Sequence, residues 1–434
     1  MQTPRRLAAE ALLRIERGGY PNLVLPSLLN HSGLSPRERA FATRIAYGAT
    51  ERRRTLDARL SPHLKKPLSR LDAEVRAVLR AGLYQILYMD AVPVPAAVNE
   101  SVKLVRAMGK SSAAGMVNAV LRRAAAPWQP VFESELQRLA VQYSVSDEIA
   151  ALLWHSYGPG AEKILAASHE TPRLIVRVNT LRTSAQELQQ LLQQQGVKTR
   201  ETELPNALEL LGAGDVTALK AFQAGLFHVQ GLASQLAVQQ LAVQPGQRVV
   251  DLCAAPGGKA ATMAQQMQNT GELLCGDAAS GRLPLIEDLL SRLGISCASV
   301  QRHDATRPFD GGQGAQRVLC DVPCSGLGVL AKKPDIRYKD LADLPGLIDT
   351  QKKILEQGAA LLAVGGRLVY STCTVNPAEN GDVVRDFLAQ NKAFRLCEVA
   401  PQVEGARVEE GMATFLPGEA DTDGFFVASL ERVW

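Results

Sequence analysis

From residue 226 onward the chain alternates short apolar runs with stretches of helical periodicity, and that alternation restricts it to very few folds. The runs fall near 247–251, 272–277, 297–301, 317–321 and 366–371, with helices in most intervals. Such βαβ spacing builds a doubly wound, mainly parallel sheet. Phe425-Phe426-Val427-Ala428-Ser429-Leu430 predicts one more strand after the Asp423-Gly424 turn. Open α/β sheets bind ligands outside the carboxyl ends of their strands. The loops after these runs are therefore where the chemistry is expected.

The remainder of the chain reads differently. Residues 1–130 are helical throughout, with Leu7, Ala11, Leu12 and Ile15 forming one apolar stripe and Val75, Val78, Leu79, Leu83, Ile86 and Leu87 another. Between about 131 and 225 the pattern is mixed. Leu174, Val176 and Val178 alternate as in a strand, then Leu188, Leu191 and Leu192 stripe a Gln-rich helix that Gly196 stops. Three segments are expected: a helical domain over 1–140, a linker and small α/β segment over 141–225, and the α/β domain over 226–434.

Composition narrows the setting. No run of eighteen apolar residues and no leader-like pattern is present, which disfavours membrane insertion and secretion. The seven cysteines all lie beyond residue 250, without a Cys-x-x-Cys pair. Free thiols in a reducing cytoplasm are expected, without a disulfide framework or bound metal. The net charge of +4 hides an asymmetry: residues 1–130 carry 21 Lys+Arg against 9 Asp+Glu, and the rest is net acidic. Arg52, Arg53, Arg54, Lys65, Lys66, Arg122 and Arg123 supply much of the excess. A basic front suits docking of an anionic polymer, with a merely solvated helical surface as the alternative.

The first strand of the series runs into Cys253-Ala254-Ala255-Pro256-Gly257-Gly258-Lys259. A glycine turn between strand and helix lets the backbone approach a ligand, and a helix start favours an anionic group. The spacing matches neither a phosphate P-loop nor a dinucleotide fingerprint. Asp277 ends the next strand, where a carboxylate can accept from ribose hydroxyls. Asp304 follows the third strand and can take an adenine amino group. As an ordered set these residues fit S-adenosylmethionine; singly, each is an ordinary loop residue.

Cys324 in Asp321-Val322-Pro323-Cys324-Ser325-Gly326 and Cys373 in Tyr370-Ser371-Thr372-Cys373-Thr374 each follow a strand. The other five cysteines read as small buried hydrophobes. Carbon 5 of cytosine is a poor nucleophile until a thiolate adds to carbon 6, so covalent catalysis divides a hard methylation into easier steps. The adduct must then lose the carbon 5 proton and expel the thiol, which gives a second thiol a role. Asp321 can hydrogen-bond the ring nitrogen and amino group. Lys259 is a candidate source of positive charge favouring a thiolate. The base must leave its stack, which suits single-stranded or bulged RNA.

These residues together make the chain resemble the bacterial ribosomal RNA small-subunit methyltransferase B (Sun/Fmu) family along essentially its whole length. Residues 253–259 match that family's adenosylmethionine loop, with Asp277, Asp304 and Asp321 as further binding positions. Val98-Asn99-Glu100 and Val117-Asn118-Ala119-Val120-Leu121-Arg122 resemble its NusB-like domain. Arg177-Val178-Asn179 resembles its RNA-binding segment, and Asp423-Gly424-Phe425-Phe426 its last strand. The resemblance implies an all-α NusB-like domain, a small α/β RNA-binding segment and a Rossmann-like class I methyltransferase domain. It further implies a cytoplasmic monomer forming 5-methylcytosine in 16S rRNA at a site of the cytosine-967 type. Cys373 would be the nucleophile, Cys324 the residue that helps release product, and S-adenosylmethionine the cofactor. Val322, Ala279 and Lys332-Lys333-Pro334-Asp335 depart from the usual pattern without removing a reacting group. Lys332 and Lys333 could add RNA contacts or simply be exposed.

Three other readings compete. A DNA cytosine-5 enzyme would place its nucleophile in the Pro-Cys loop and need no Cys373. A tRNA enzyme would use the same chemistry on another RNA. A NusB-like RNA-binding factor with an inert rear domain would use neither thiol.

Overall fold

In a computed structural model that describes residues 2–399 and 403–434, ten helices lead the chain. They are α1 (Pro4–Glu16), α2 (Pro21–Asn30), α3 (Pro36–Glu51), α4 (Arg53–Leu60), α5 (Ala73–Tyr88), α6 (Val94–Ala107), α7 (Ala114–Ala124), α8 (Glu135–Gln142), α9 (Asp147–Tyr157) and α10 (Gly160–Ala167). Local sequence accounts for their ends. Ser35 and Glu38 form a reciprocal capping box before α3, with Pro36 as its first residue. From the predicted stripes, Leu7, Ala11, Leu12, Val75, Val78, Leu79 and Leu83 are buried in one core, which Ile45, Leu56 and Leu121 share.

Packing divides the chain into two compact units. One comprises residues 1–165 together with 332–340, the other 166–331 with 341–434. Helices α8 and α9 pack together and α8 packs on α4, so both belong to the first unit. The revisiting segment 332–340 is firmly built into the helical unit. Arg337 has no exposed surface and donates to the Tyr143 carbonyl at 3.0 Å, while its own carbonyl accepts from Ser146 N–H at 2.8 Å. The Tyr338 hydroxyl lies 2.8 Å from Ser144 Oγ and 3.0 Å from the Glu51 carbonyl.

This packing revises the reading of the arginine cluster. Arg53 stacks on Tyr338 at 3.8 Å, and Arg54 pairs with Asp147 at 2.5 Å. Arg52 lies over Tyr88 at 5.1 Å. All three are partly buried and serve the helical fold, whereas Lys65, Lys66, Arg122 and Arg123 are exposed.

The second unit opens with an antiparallel sheet ordered β2-β3-β1-β4, formed by β1 (Ile175–Val178), β2 (Lys198–Glu201), β3 (Ala207–Leu211) and β4 (Phe227–Val229). Helix α11 (Ala185–Gln194) covers it through Leu188 and Leu192, and α12 (Lys220–Gln223) precedes β4. The side chains of Arg177 and Asn179 are buried and engaged. Arg177 donates to the Pro205 carbonyl, and Asn179 to the carbonyls of Gly225 and Leu293 at 2.8 and 2.9 Å. Within the segment that resembles an RNA-binding unit, these two side chains hold the small sheet together and tie it to the Leu293 carbonyl.

The large sheet contains β5 (Arg248–Asp251), β6 (Glu272–Asp277), β7 (Ala298–Arg302), β8 (Ala315–Asp321), β9 (Leu362–Thr372), β10 (Phe394–Cys397), β11 (Ala406–Glu409), β12 (Met412–Phe415) and β13 (Phe425–Arg432). Its order is β11-β12-β13-β9-β8-β5-β6-β7, with β10 also on β13. The β7-β6-β5-β8-β9 portion is parallel and the rest antiparallel. Helices α13 (Leu232–Leu241), α14 (Gly258–Gln266), α15 (Leu283–Leu293), α16 (Leu344–Leu361) and α17 (Gly381–Gln390) complete the unit. Strand order reverses at β5: the chain moves outward through β6 and β7, then returns to β8 and β9. Ligands bind at such switch points, beyond the strands' carboxyl ends. No described helix is long and apolar enough to cross a membrane.

Candidate active site at the carboxyl edge of the sheet

Register aligns the two thiol loops. β8 and β9 run parallel with Asp321 opposite Ser371, so the chain leaves both strands at the same level. Ser371 Oγ donates to Asp321 Oδ1 at 2.7 Å, and Val322 N–H bonds the Ser371 carbonyl at 3.0 Å. Three residues beyond Asp321 and two beyond Ser371, Cys324 Sγ and Cys373 Sγ lie 3.3 Å apart. Gly328 N–H closes the arrangement on the Cys373 carbonyl at 3.0 Å. A Cβ at Gly328 would collide with the Gly424 carbonyl oxygen, so only glycine fits there.

The turn after β5 approaches from the neighbouring strand. Ala254 N–H bonds the Gly276 carbonyl at 2.8 Å, and Ala255 N–H bonds Asp277 Oδ2 at 3.2 Å. Gly257 has φ +101°, and a Cβ on it would lie 3.2 Å from Ile286 Cα. Gly258 then begins α14, while Pro256 remains exposed. Asp277 also accepts from Ala279 N–H at 3.0 Å and pairs with Arg282 at 3.3 Å. Arg282 Nη2 reaches the Ala255 carbonyl at 2.7 Å, linking the turn to the next strand end.

Lys259 bridges the turn and the thiol loops. Its ammonium lies 2.6 Å from Asp321 Oδ2 and 5.5 Å from the centre of the Phe425 ring. Burial disfavours this ammonium, but Asp321 more than offsets that cost, and the Lys259 pKa is raised. Asp251, fully buried at the end of β5, accepts from Cys253 N–H at 3.3 Å. Its burial first, and the Asp321 charge second, push it up to about 7. The Cys324 thiol is pushed well above the usual thiol range by its hydrogen bond to Cys373, by burial and by the Glu379 charge. Cys253 is raised likewise, chiefly by burial.

The fold thus gathers Cys253 through Lys259, Asp277, Asp321, Cys324 and Cys373 along one edge. Asp304 follows β7 on the same side but is exposed, with Oδ1 capping Thr306 N–H and Oγ1 at 3.0 and 2.7 Å. Sequence reasoning passed over Asp251, Arg282, Ser371 and Glu379. The polar run Asn376-Pro377-Ala378-Glu379-Asn380 directly after the Cys373 loop was the available signal for the last of these.

A glycine turn after β5, an acidic residue ending β6 and two cysteine-bearing loops on the same edge of a sheet that reverses at β5 define a Rossmann-like methyltransferase domain. Comparison with known proteins agrees. Residues 238–431 match a 16S rRNA methyltransferase RsmB/F model, residues 2–126 the NusB family, and residues 149–217 an RsmF/B-like ferredoxin-like domain. A probable ribosomal RNA small subunit methyltransferase B from Synechocystis is 35% identical over the full length of both chains. The chain belongs to the ribosomal RNA small subunit methyltransferase B family. The crystal structure of PH0851 covers 100% of this chain and 99% of its own, at 25% identity and a TM-score of 0.85. NSun6 from Pyrococcus horikoshii, solved with SFG, covers 67% of this chain and 98% of its own, at 24% identity and TM-score 0.62.

Proposed function

We propose that the protein uses S-adenosylmethionine to form 5-methylcytosine in 16S rRNA, at a position of the cytosine-967 type, with Cys373 as nucleophile. The observation that carries this reading is the 3.3 Å approach of the two thiols beside the Lys259–Asp321 pair. The family membership supports an rRNA substrate.

The chain's residues suit the cofactor. Asp277 offers a buried carboxylate at a strand end, and the Gly257-Gly258 turn presents bare backbone at the start of α14. NSun6, with the same fold, was solved with SFG, an S-adenosylmethionine analogue. Cys253, Ala254, Ala255, Pro256, Gly257, Gly258, Lys259, Asp277, Asp304 and Asp321 form the proposed binding set. When bound, the cofactor supplies an electrophilic methyl group.

Cys373 adds through sulfur to carbon 6 of cytosine, and the displaced π electrons make carbon 5 nucleophilic. The Cys324 sulfur, 3.3 Å from that of Cys373, is near enough for its thiol to hydrogen-bond the attacking sulfur. Asp321 keeps its orientation through Lys259 and Ser371 and hydrogen-bonds the base. After methylation, water takes the carbon 5 proton, the C5–H electron pair restores the double bond, and Cys373 leaves as a thiolate that the neighbouring Cys324 thiol hydrogen-bonds. The helical unit docks RNA through exposed cations such as Lys65, Lys66 and Arg123.

Transfer of labelled methyl to protein-free 16S rRNA, followed by nucleoside analysis, tests the proposal. Labelled 5-methylcytosine from wild type and none from Cys373→Ala is expected. Transfer to tRNA or DNA but not rRNA would overturn the substrate, and full activity of Cys373→Ala would overturn the mechanism.

A further inference from the structure

A single carboxylate ties the two thiol loops together from behind. Glu379, with no exposed surface, accepts from Ser325 N–H at 2.7 Å and Ser325 Oγ at 2.5 Å, both in the Cys324 loop. From the Cys373 side, Asn376 Nδ2 donates at 3.0 Å and Thr374 Oγ1 at 3.4 Å. Thr374 Oγ1 and Ser325 Oγ also meet directly at 2.7 Å. On α16, Gln351 Nε2 reaches both Glu379 Oε1 and the Pro323 carbonyl at 3.0 Å. The Glu379 carbonyl accepts from the Tyr370 hydroxyl at 2.7 Å, and Asn380 joins Thr372 Oγ1 to the Thr374 carbonyl.

Among the described residues, each of these side-chain donors to the carboxylate is neutral. A buried carboxylate without a cation is costly unless its lone pairs are filled. Here they are filled by donors from both loops and the helix behind, so the arrangement holds only while all three elements keep their places. Such a network has two kinds of member: groups that could be replaced singly, and the one acceptor on which the others converge.

We infer that Glu379 is the positioning residue of the thiol pair: its carboxylate, bonded to Ser325 in one loop and to Thr374 and Asn376 in the other, sets the distance between Cys324 and Cys373. This rests on the covalent mechanism proposed above. Replacement by Gln keeps the volume but turns one acceptor into a donor facing other donors. Ser325 then loses its anchor, and the thiols separate while the cofactor turn, fastened through Asp277 and Asp321, is unaffected.

Two measurements on the full-length protein test this. In single-turnover and steady-state methyl transfer to 16S rRNA, Glu379→Gln should lower kcat on the order of a hundredfold, the usual scale for a displacement of about 1 Å. KM for rRNA and the dissociation constant for S-adenosylmethionine should stay within about twofold of wild type, because the altered bonds serve only the thiol loops. Separately, diamide should oxidise Cys324 and Cys373 to a disulfide, with two thiols losing two electrons and two protons and diamide becoming its hydrazine. Peptide mapping should find that bridge forming readily in wild type and at least about tenfold more slowly in Glu379→Gln, as expected when proximity is lost.

Equal kcat or equal bridging rates in the two proteins would overturn the inference, as would failure of wild type to bridge. A parallel loss of cofactor affinity and kcat would reduce Glu379 to a general structural residue and overturn it too. If Glu379→Gln does not fold, Ser325→Ala, which keeps the backbone bond, decides by the same criteria with a smaller expected drop. The thiol-bridging result is independent of methyl transfer. Activity retained in Cys373→Ala would therefore defeat the mechanism alone, whereas unchanged bridging in Glu379→Gln would defeat this inference alone.

Discussion

The Lys259 ammonium and an Asp321 carboxylate oxygen lie 2.6 Å apart, joining the glycine turn after β5 to the strand end that launches the Cys324 loop. The pair is largely buried, and Asp251 lies within its field. Removing the cation leaves the Asp321 carboxylate without its counter-ion in a largely buried site. Lys259→Met is expected to destabilise the protein by roughly 3 kcal/mol in urea unfolding. The double replacement Lys259→Met with Asp321→Asn should recover most of that loss. Equal stability of Lys259→Met and wild type would mean that the pair is solvated and weak.

Asp251 gives a pH dependence of definite sign. Its native pKa, raised to about 7, exceeds the unfolded value near 4, so the folded state holds the proton more tightly. Its contribution to stability is complete below about pH 4 and is lost as pH rises to about 7. Asp251→Asn mimics the protonated form and can still accept from Cys253 N–H. Its stability relative to wild type should therefore rise by roughly 2.5 kcal/mol between pH 5 and pH 8, at up to about 1.4 kcal/mol per unit below pH 7 and levelling off above it. A gap that stays constant across that range would show that Asp251 is ionised throughout.

The turn itself can be probed at Gly257. Alanine there meets both a positive φ and the Ile286 backbone. Gly257→Ala should cost about 1–2 kcal/mol of stability and weaken S-adenosylmethionine binding in calorimetry. Unchanged affinity would place the cofactor away from this turn.

The thiols should divide their labour. Cys373→Ala is expected to form no covalent complex with 16S rRNA, whereas Cys324→Ala should accumulate one that survives denaturing electrophoresis. The reverse pattern would exchange the roles.

Salt dependence separates the two sets of cations in the helical unit. Replacing Lys65, Lys66 and Arg123 with Glu should lower the log–log salt slope of RNA binding by about 0.7 for each phosphate that is no longer neutralised. Arg53→Ala should instead lower the melting temperature, because Arg53 stacks on Tyr338. An unchanged slope in the triple variant would move the RNA surface elsewhere.

Much of the architecture is legible in the chain because it rests on local periodicity. Apolar runs after residue 226 place the five parallel strands within a few residues, and Ser184, Glu187 and Gly196 mark the limits of α11. The thiol loops can be singled out because Cys324 and Cys373 follow strands and lie among turn residues. Lys259 is a natural candidate to serve the thiols, but its partner Asp321 is sixty-two positions away and can be paired with it only through strand order.

What only the tertiary structure decided are relationships across that order. The β8–β9 register brings the two sulfur atoms within 3.3 Å, and a glutamate beyond the second loop turns back to hold the first. Segment 332–340 looks in sequence like an exposed basic loop of the catalytic domain, yet Arg337 and Tyr338 are core residues of the helical unit. Asn179, read as part of an RNA-binding segment, fastens the small sheet by two backbone carbonyls. Periodicity reports which way a side chain faces along its own element, through the burial of apolar surface. It carries no information about which distant polar group will fill a buried donor or acceptor, and that pairing is settled only when the strands find their register.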